Sequence, residues 1–328
     1  MNILFLSHAD VVRLLTMEAC IEVMAEALRT TSEGGAVLPL RNVVWMPDRT
    51  GMIGMMPGFL GAPASLGLKV VSIFPGNHGT GFDSHQGVVM LFDIKHGTPI
   101  AVIDASSITA IRTAAVSGVA TRALARDGAD DLAILGSGVQ AATHLAAMRA
   151  VRPVRRVRVW SRSRANAQRF ADTSPIPVEV MATARDAVDG ADLVCTTTAA
   201  REPVLEGAWL RPGAHVNAVG ACFATARELD SAAVARARLI VDRRESTINE
   251  SGDFLIPRSE GLFGDDHIAG ELGDLLLGRF VGRRSGDEVT LFKSLGIAIE
   301  DLAAAHYLYA QALATGVGAS VPLGPSPP

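Results

Sequence analysis

The feature that most constrains this chain is the stretch Leu132-Ala133-Ile134-Leu135-Gly136-Ser137-Gly138-Val139-Gln140-Ala141, where an apolar run ends in Gly-x-Gly and passes into a helix-forming segment over 140–149. Gly136 would make a tight turn, Gly138 would let the backbone approach a pyrophosphate, and Ala141 would fill the third small position where helix packs on strand. The N–H groups at the helix start, Val139 and Gln140 included, would face phosphate oxygens. The same pattern also serves an ordinary strand-to-helix turn, so context has to decide. A second strand at 157–160 follows at the spacing of a dinucleotide-binding unit. Beyond it the pattern alternates: helix 165–171, strand 178–180, helix 184–188, then strands 192–196, 215–219, 239–242 and 289–292. That alternation predicts an α/β fold with a Rossmann-type doubly wound parallel sheet.

The chain before this stretch reads differently. Ser7 with Asp10 forms a capping-box pattern and Thr16 precedes a second helical run, so the chain is expected to open with helix. Short β-rich runs follow at 41–46, 52–56, 66–74, 88–93 and 100–103, with a hairpin turn at 94–98. No helix intervenes, which predicts an antiparallel or mixed sheet with flanking helices, an α+β unit. Ser106-Ser107 is expected to cap a helix over 108–124 that leads to the glycine turn. A long helix is expected from Gly296 to about 314, and the proline-rich tail from Gly316 is expected to fray.

At 328 residues the chain is long enough for two domains, each with its own core. A net charge of -4 with 20% charged residues argues against nucleic acid as partner and favours a small-molecule ligand. No run approaches the length of a membrane span. Cys20, Cys195 and Cys222 are odd in number and lack Cys-x-x-Cys, so neither disulfides nor a zinc site is expected, and the compartment reads as reducing and cytoplasmic.

Two cations stand out. Lys69 lies in Leu66-Gly67-Leu68-Lys69-Val70-Val71, apolar on both faces, where an ammonium is costly unless an anion meets it. A substrate carboxylate would be such an anion; a lysine reaching solvent from a strand end is the alternative. Arg112 sits in the first turns of the helix after Ser106-Ser107, where a guanidinium could grip a carboxylate bidentately or form a surface ion pair. The long glycine-rich loop at 74–87 is of a length that usually carries function. Its His78 and His85 lack metal-binding partners, leaving substrate contact or structural hydrogen bonding open.

Taken in order, Gly67-Leu68-Lys69-Val70, Ser84-His85-Gln86-Gly87, Ile111-Arg112-Thr113-Ala114-Ala115, Gly136 to Ala141, Asn217-Ala218-Val219-Gly220, Arg227-Glu228-Leu229-Asp230 and Phe292-Lys293-Ser294-Leu295-Gly296 resemble the ornithine cyclodeaminase and mu-crystallin family over nearly the whole chain. The resemblance implies a homodimer with a substrate-binding and dimerisation domain at 1–120 with 297–328, and a dinucleotide-binding domain at 121–296. It implies that Arg41, Lys69 and Arg112 hold a substrate carboxylate, Lys69 and Arg112 being the catalytic pair. Ser84 and His85 are further substrate-site candidates. Thr113, Gly136, Gly138, Val139, Gln140, Ser161, Arg162, Thr197, Val219 and Ser294 are the cofactor candidates, and no metal is expected.

Members of the family use NAD or NADP in cyclodeamination, alanine dehydrogenation or imine reduction. Cyclodeaminases and alanine dehydrogenases of the family carry an aspartate two residues after the glycine of Asn-Ala-Val-Gly. Here that position is Cys222, and a thiol with an ordinary pKa near 8.5 is a poor base for ring closure. Phe292-Lys293-Ser294 resembles the ketimine-reductase branch, whereas cyclodeaminases often have aspartate before that serine. The expected activity is therefore NAD(P)H-dependent reduction of a 2-imino acid, with Δ1-pyrroline-2-carboxylate as lead substrate. An ornithine cyclodeaminase, an alanine dehydrogenase, or a ligand-binding protein that keeps cofactor without turnover are the alternatives. Val159-Trp160-Ser161-Arg162-Ser163-Arg164 offers arginine and no acid to a cofactor ribose, so NADP is expected, with NAD allowed.

Overall fold

The computed structural model describes residues 2–77 and 80–323. In chain order its elements are β1 (Asn2–Leu6), α1 (His8–Leu14), α2 (Met17–Ser32), β2 (Ala36–Val37), β3 (Asn42–Trp45), β4 (Met52–Gly61), β5 (Ala64–Ile73), β6 (His85–Phe92), β7 (Pro99–Asp104) and α3 (Ala105–Leu124). Next come β8 (Asp131–Leu135), α4 (Val139–Val151), β9 (Arg156–Trp160), α5 (Arg164–Thr173), β10 (Glu179–Val180), α6 (Ala184–Val188), β11 (Leu193–Thr196), β12 (His215–Ala218), α7 (Ser231–Arg236) and β13 (Arg238–Val241). The remainder is α8 (Arg244–Glu250), α9 (Gly252–Ser259), β14 (Ile268–Glu271), α10 (Leu272–Leu276), β15 (Thr290–Lys293), α11 (Ala298–Thr315) and β16 (Ala319–Pro322). Contacts divide the chain into Met1–Arg112 with Ile297–Pro328, and Thr113–Gly296.

In the first unit the strands form a mixed sheet in the order β16-β1-β7-β6-β5-β4-β2, with β3 also on β4. Its helix-covered face is closed by α11, which needs bare backbone beneath it. A Cβ on Gly67 would stand 2.1 Å from the Met90 carbonyl oxygen and 2.9 Å from Leu302. Glycine there seats α11 against the sheet and so fixes where Glu300 and Asp301 point.

Three local expectations need correcting. The chain opens with a strand, β1, which pairs parallel with β7 and antiparallel with β16. The supposed fraying tail therefore contains a strand, Ala319–Pro322, while 324–328 lie outside the described residues. Cross-chain pairing of β1 and β16 has no signature in either segment alone. Finally, α3 begins at Ala105, and its capping acceptor is Asp104, whose Oδ2 accepts from the Ser107 N–H at 2.8 Å and from the Ser107 hydroxyl at 2.5 Å. The serine is the donor in the cap. The capping box at Ser7 and Asp10 and the Thr16 cap are present as expected.

The second unit holds an all-parallel sheet in the order β10-β9-β8-β11-β12-β15-β13-β14. Leu132 to Leu135 of β8 are fully buried, as a strand covered on both faces must be, and this explains their unbroken apolar run. Val194, Val216, Leu239, Leu291 and Phe254 share one core cluster with Ala133 and Leu135 of β8. Strand order reverses between β8 and its neighbours β9 and β11, so the carboxyl end of β8 lies at the switch point where doubly wound sheets bind ligands.

Candidate active site

Lys69 projects from the middle of β5 and is 3% exposed; Arg112, on α3, is 4% exposed. Neither is a lone cation. Lys69 Nζ lies 2.7 Å from Asp301 Oδ2, while Arg112 Nε donates to Asp301 Oδ1 at 2.9 Å and its Nη1 to Glu300 Oε2 at 2.7 Å. Both carboxylates sit in the first turn of α11 and are fully buried. The picture of Lys69 as an ammonium met only by a substrate anion therefore needs amending, because an internal counter-ion is built in. Arg112 forms a buried ion pair, and the surface pair weighed for it does not occur.

Burial pulls the Lys69 pKa down to about 8, against the attraction of Asp301; the charges of Arg112 and Arg41 pull the same way as burial. Burial pushes Asp301 up, but Arg112 and Lys69 outweigh it and hold the carboxyl below its ordinary value. Arg41, in the segment before β3, is half-buried and its charge reaches Lys69. Ser84 immediately precedes β6 and His85 is its first residue. The Ser84 hydroxyl is 3.1 Å from His85 Nδ1, and the His85 carbonyl accepts from Ser106 at 3.1 Å. His78 lies outside the described residues.

In the second unit the glycine turn has the expected form. Gly136 has φ +121°, and a Cβ there would stand 2.6 Å from the Thr197 hydroxyl and 2.7 Å from the Thr197 carbonyl oxygen, so only glycine fits. Gly138 is the N-cap of α4 and provides no side-chain cap, with open space where a Cβ would be. Val139 and Gln140 then open α4, and Ala141 is fully buried against the core. Thr113 and Val219 are buried. Ser161 is half-buried and Arg162 exposed beyond β9, with Ser163 capping α5. Ser294, 1% exposed, carries a buried hydroxyl with no hydrogen-bond partner among the described residues. An uncapped helix start beside a glycine turn, together with an orphaned hydroxyl beyond β15, fits a dinucleotide.

Cys222 is half-buried, with Sγ 3.6 Å from the Val219 carbonyl oxygen. The position at which cyclodeaminases of the family carry aspartate is thus a thiol in this chain. The residues that sequence reasoning missed are Glu300 and Asp301. Two acids opening a helix have an adequate local explanation in the helix dipole, which hid their long-range partners. Among the described residues no group of His, Cys, Asp and Glu is arranged to hold a metal, and no helix is long and apolar enough to cross a membrane.

Comparison with known proteins agrees with this geometry. The chain is 42% identical over 277 residues to the ketimine reductase mu-crystallin of Mus musculus, covering 84% of this chain and 86% of that one. It superposes with a TM-score of 0.95 and 40% identity on Δ1-pyrroline-2-carboxylate reductase of Thermococcus litoralis, in complex with NADH and L-proline, covering 97% of this chain and all of that one (100%). An archaeal alanine dehydrogenase dimer with bound NAD superposes with a TM-score of 0.93 at 30% identity, covering 99% and 100% of the two chains. Residues 1–316 match the family description as well. The chain belongs to the ornithine cyclodeaminase/mu-crystallin family.

Proposed function

We propose that this protein is an oxidoreductase that reduces the C=N bond of a 2-imino acid at the expense of NADPH or NADH, with Δ1-pyrroline-2-carboxylate, giving L-proline, as its leading substrate. The observation that carries the reading is the buried charge cluster. Lys69 and Arg112 are held in place by Asp301 and Glu300, and the charge of Arg41 reaches Lys69, so three cations converge where a substrate carboxylate would be anchored. Asp301 Oδ2 stands 2.7 Å from the Lys69 ammonium, a group with three donors in all. The cofactor, when bound, supplies hydride to the imine carbon. That carbon is already electrophilic, so the chain's task is to anchor the carboxylate and orient the ring. The Thermococcus litoralis enzyme, seen with NADH and L-proline, supports this choice of ligand. Steady NADPH consumption across a panel of cyclic and linear imines tests it, and cofactor binding without turnover would favour a ligand-binding protein.

Ornithine provides the sharpest contrast. Cyclodeamination needs the side-chain amine deprotonated for ring closure, and Cys222 offers no carboxylate for that step. Incubation with L-ornithine and NAD or NADP is expected to yield neither proline nor ammonia above background. Robust formation of both would replace the reductase assignment with a cyclodeaminase.

The cofactor preference follows from the end of β9. Ser161-Arg162-Ser163-Arg164 presents two guanidinium groups and no acid, which suits a ribose 2′-phosphate. The expected kcat/KM for NADPH exceeds that for NADH, and Arg162→Ala should lower the NADPH value by about 10–100-fold, the worth of one charge-assisted hydrogen bond. Unchanged selectivity in that variant would remove Arg162 from the site.

A second copy of this chain is the proposed partner. On the sheet face opposite Lys69 and Gly67, Ile53, Leu66, Leu68, Val70, Met90 and Val102 from four strands are half-buried or exposed, whereas Val89, Leu91, Ala101 and Ile103 on the helix-covered face are buried. An apolar sheet face of this breadth calls for a cover. Light scattering should give twice the 34.4 kDa chain mass, and Met90→Asp at its centre should give the monomer. The free cysteines, two buried and one half-buried, support a reducing, cytoplasmic setting.

A further inference from the structure

A fully buried charged network separate from the carboxylate-binding cluster lies in the second unit. Lys293 is the last residue of β15 and is 1% exposed. Its Nζ donates to the Ala221 carbonyl oxygen at 2.7 Å and lies 2.9 Å from Asp253 Oδ2. Asp253, on α9, uses Oδ1 to accept from the backbone N–H groups of Glu228 at 2.8 Å and Leu229 at 3.0 Å. The Glu228 carboxylate in turn collects four donors. Oε2 accepts from the Thr196 hydroxyl at 2.8 Å and the Gly220 N–H at 2.6 Å, and Oε1 from the Thr198 N–H at 2.6 Å and hydroxyl at 2.7 Å.

One ammonium and two carboxylates therefore tie together the carboxyl ends of β11, β12 and β15, along with the segment 220–229. Taking such groups out of water costs several kcal/mol per ion, and a packed apolar core would hold three strand ends without that cost. The location explains the expense. On the cofactor reading a pyrophosphate would rest at the glycine turn after β8, with β9, Ser161 and Arg162 on the adenosine side. A dinucleotide spanning the switch point must then extend its other half over the ends of β11, β12 and β15. Close packing leaves this edge little tolerance: a Cβ on Gly220 would stand 2.0 Å from the Thr198 carbonyl oxygen.

We propose that Lys293, Asp253 and Glu228 are positioning residues for the nicotinamide half of the cofactor, fixing the backbone at 196–198 and 220–222 on which that half rests. The inference depends on the cofactor reading above. Lys293 holds Ala221 and so the adjacent Cys222, Glu228 holds Gly220 and Thr198, and Asp253 locks the two together. Burial opposes the charge on Lys293, but Asp253 above all outweighs it and raises its pKa; burial and then Asp253 push Glu228 upward. The network is accordingly sensitive to the loss of any one charge.

The test compares a full cofactor with its adenosine half. Lys293→Met/Asp253→Asn removes one charge of each sign, and Glu228→Gln keeps shape while losing acceptor capacity, so one variant stands if the other fails to fold. NADPH and 2′-phospho-ADP-ribose, which lacks nicotinamide, are titrated into each full-length protein by fluorescence and calorimetry. NADPH affinity is expected to fall at least tenfold with 2′-phospho-ADP-ribose affinity unchanged, the latter also reporting an intact fold. Equal losses for both ligands would mean a purely structural role, and no loss for either would mean no role; each overturns the proposal. Failure of the unsubstituted protein to bind NADPH or NADH would overturn the cofactor reading and this inference with it.

Discussion

Arg112→Lys is expected to lower kcat/KM for a 2-imino acid by about 50–100-fold, a loss of roughly 2–3 kcal/mol of the kind seen when a desolvated, hydrogen-bonded charge pair loses a partner's geometry. Charge is retained in this variant and only the fork is lost. In the folded protein Arg112 directs Nε to Asp301 and Nη1 to Glu300, two acceptors that a single ammonium cannot meet with the same planar spacing. The substitution therefore loosens both acids of α11 and, on the proposed reading, the anchor for the substrate carboxylate. The loss should fall mainly on KM, because anchoring a carboxylate serves ground state and transition state alike. Steady-state kinetics with Δ1-pyrroline-2-carboxylate measures the division. Near-normal kcat/KM in Arg112→Lys would remove Arg112 from the substrate site.

The dependence of this arrangement on Glu300 and Asp301 marks the boundary of what the sequence reveals. The glycine turn was legible because its chemistry is local: Gly136 adopts a conformation that only glycine takes readily, and Leu132 to Leu135 read as a strand because both faces are covered. Lys69 was legible as an unusual cation because an ammonium is costly in its apolar segment, whereas Arg112 stood out by its place in the first turns of a helix and had a surface ion pair as its alternative. Their counter-ions lie 232 and 189 residues further on for Lys69 and Arg112 with Asp301, and no spacing within either segment points to them. The same holds for β1 and β16, which complete each other across nearly the full chain. Asp104 was hidden for a different reason: it ends a strand and caps a helix at once, and the serines after it offered a sufficient but mistaken cap.

Asp301→Asn should move the alkaline limb of the activity profile toward lower pH, and it carries the other large effect. In the native protein burial holds Lys69 near pKa 8, with Asp301 the principal opposing influence. In its proposed role Lys69 binds the substrate carboxylate as the ammonium, so kcat/KM is expected to decline as pH rises through about 8. An opposite charge at this range is worth about 1–3 pKa units, so its removal should bring the decline into or below the neutral range. The substrate's own imine titration is common to both proteins and cancels in the comparison. Stability responds with the opposite slope. The unfolded chain keeps the Lys69 proton up to about 10.5 and the folded chain only to about 8, so between these values the unfolded state binds more protons and rising pH favours the fold. In Asp301→Asn that interval begins lower, and the variant should lose stability most at acid pH, where Lys69 and Arg112 are both charged beside Glu300 alone among the two acids of α11. Breaking a buried pair in this way costs about 3–5 kcal/mol, less where Lys69 escapes by releasing its proton. Denaturant unfolding at several pH values, paired with kcat/KM profiles, reads both effects. An alkaline limb that stays in place while stability falls would show that Asp301 props up the fold without governing the charge on Lys69.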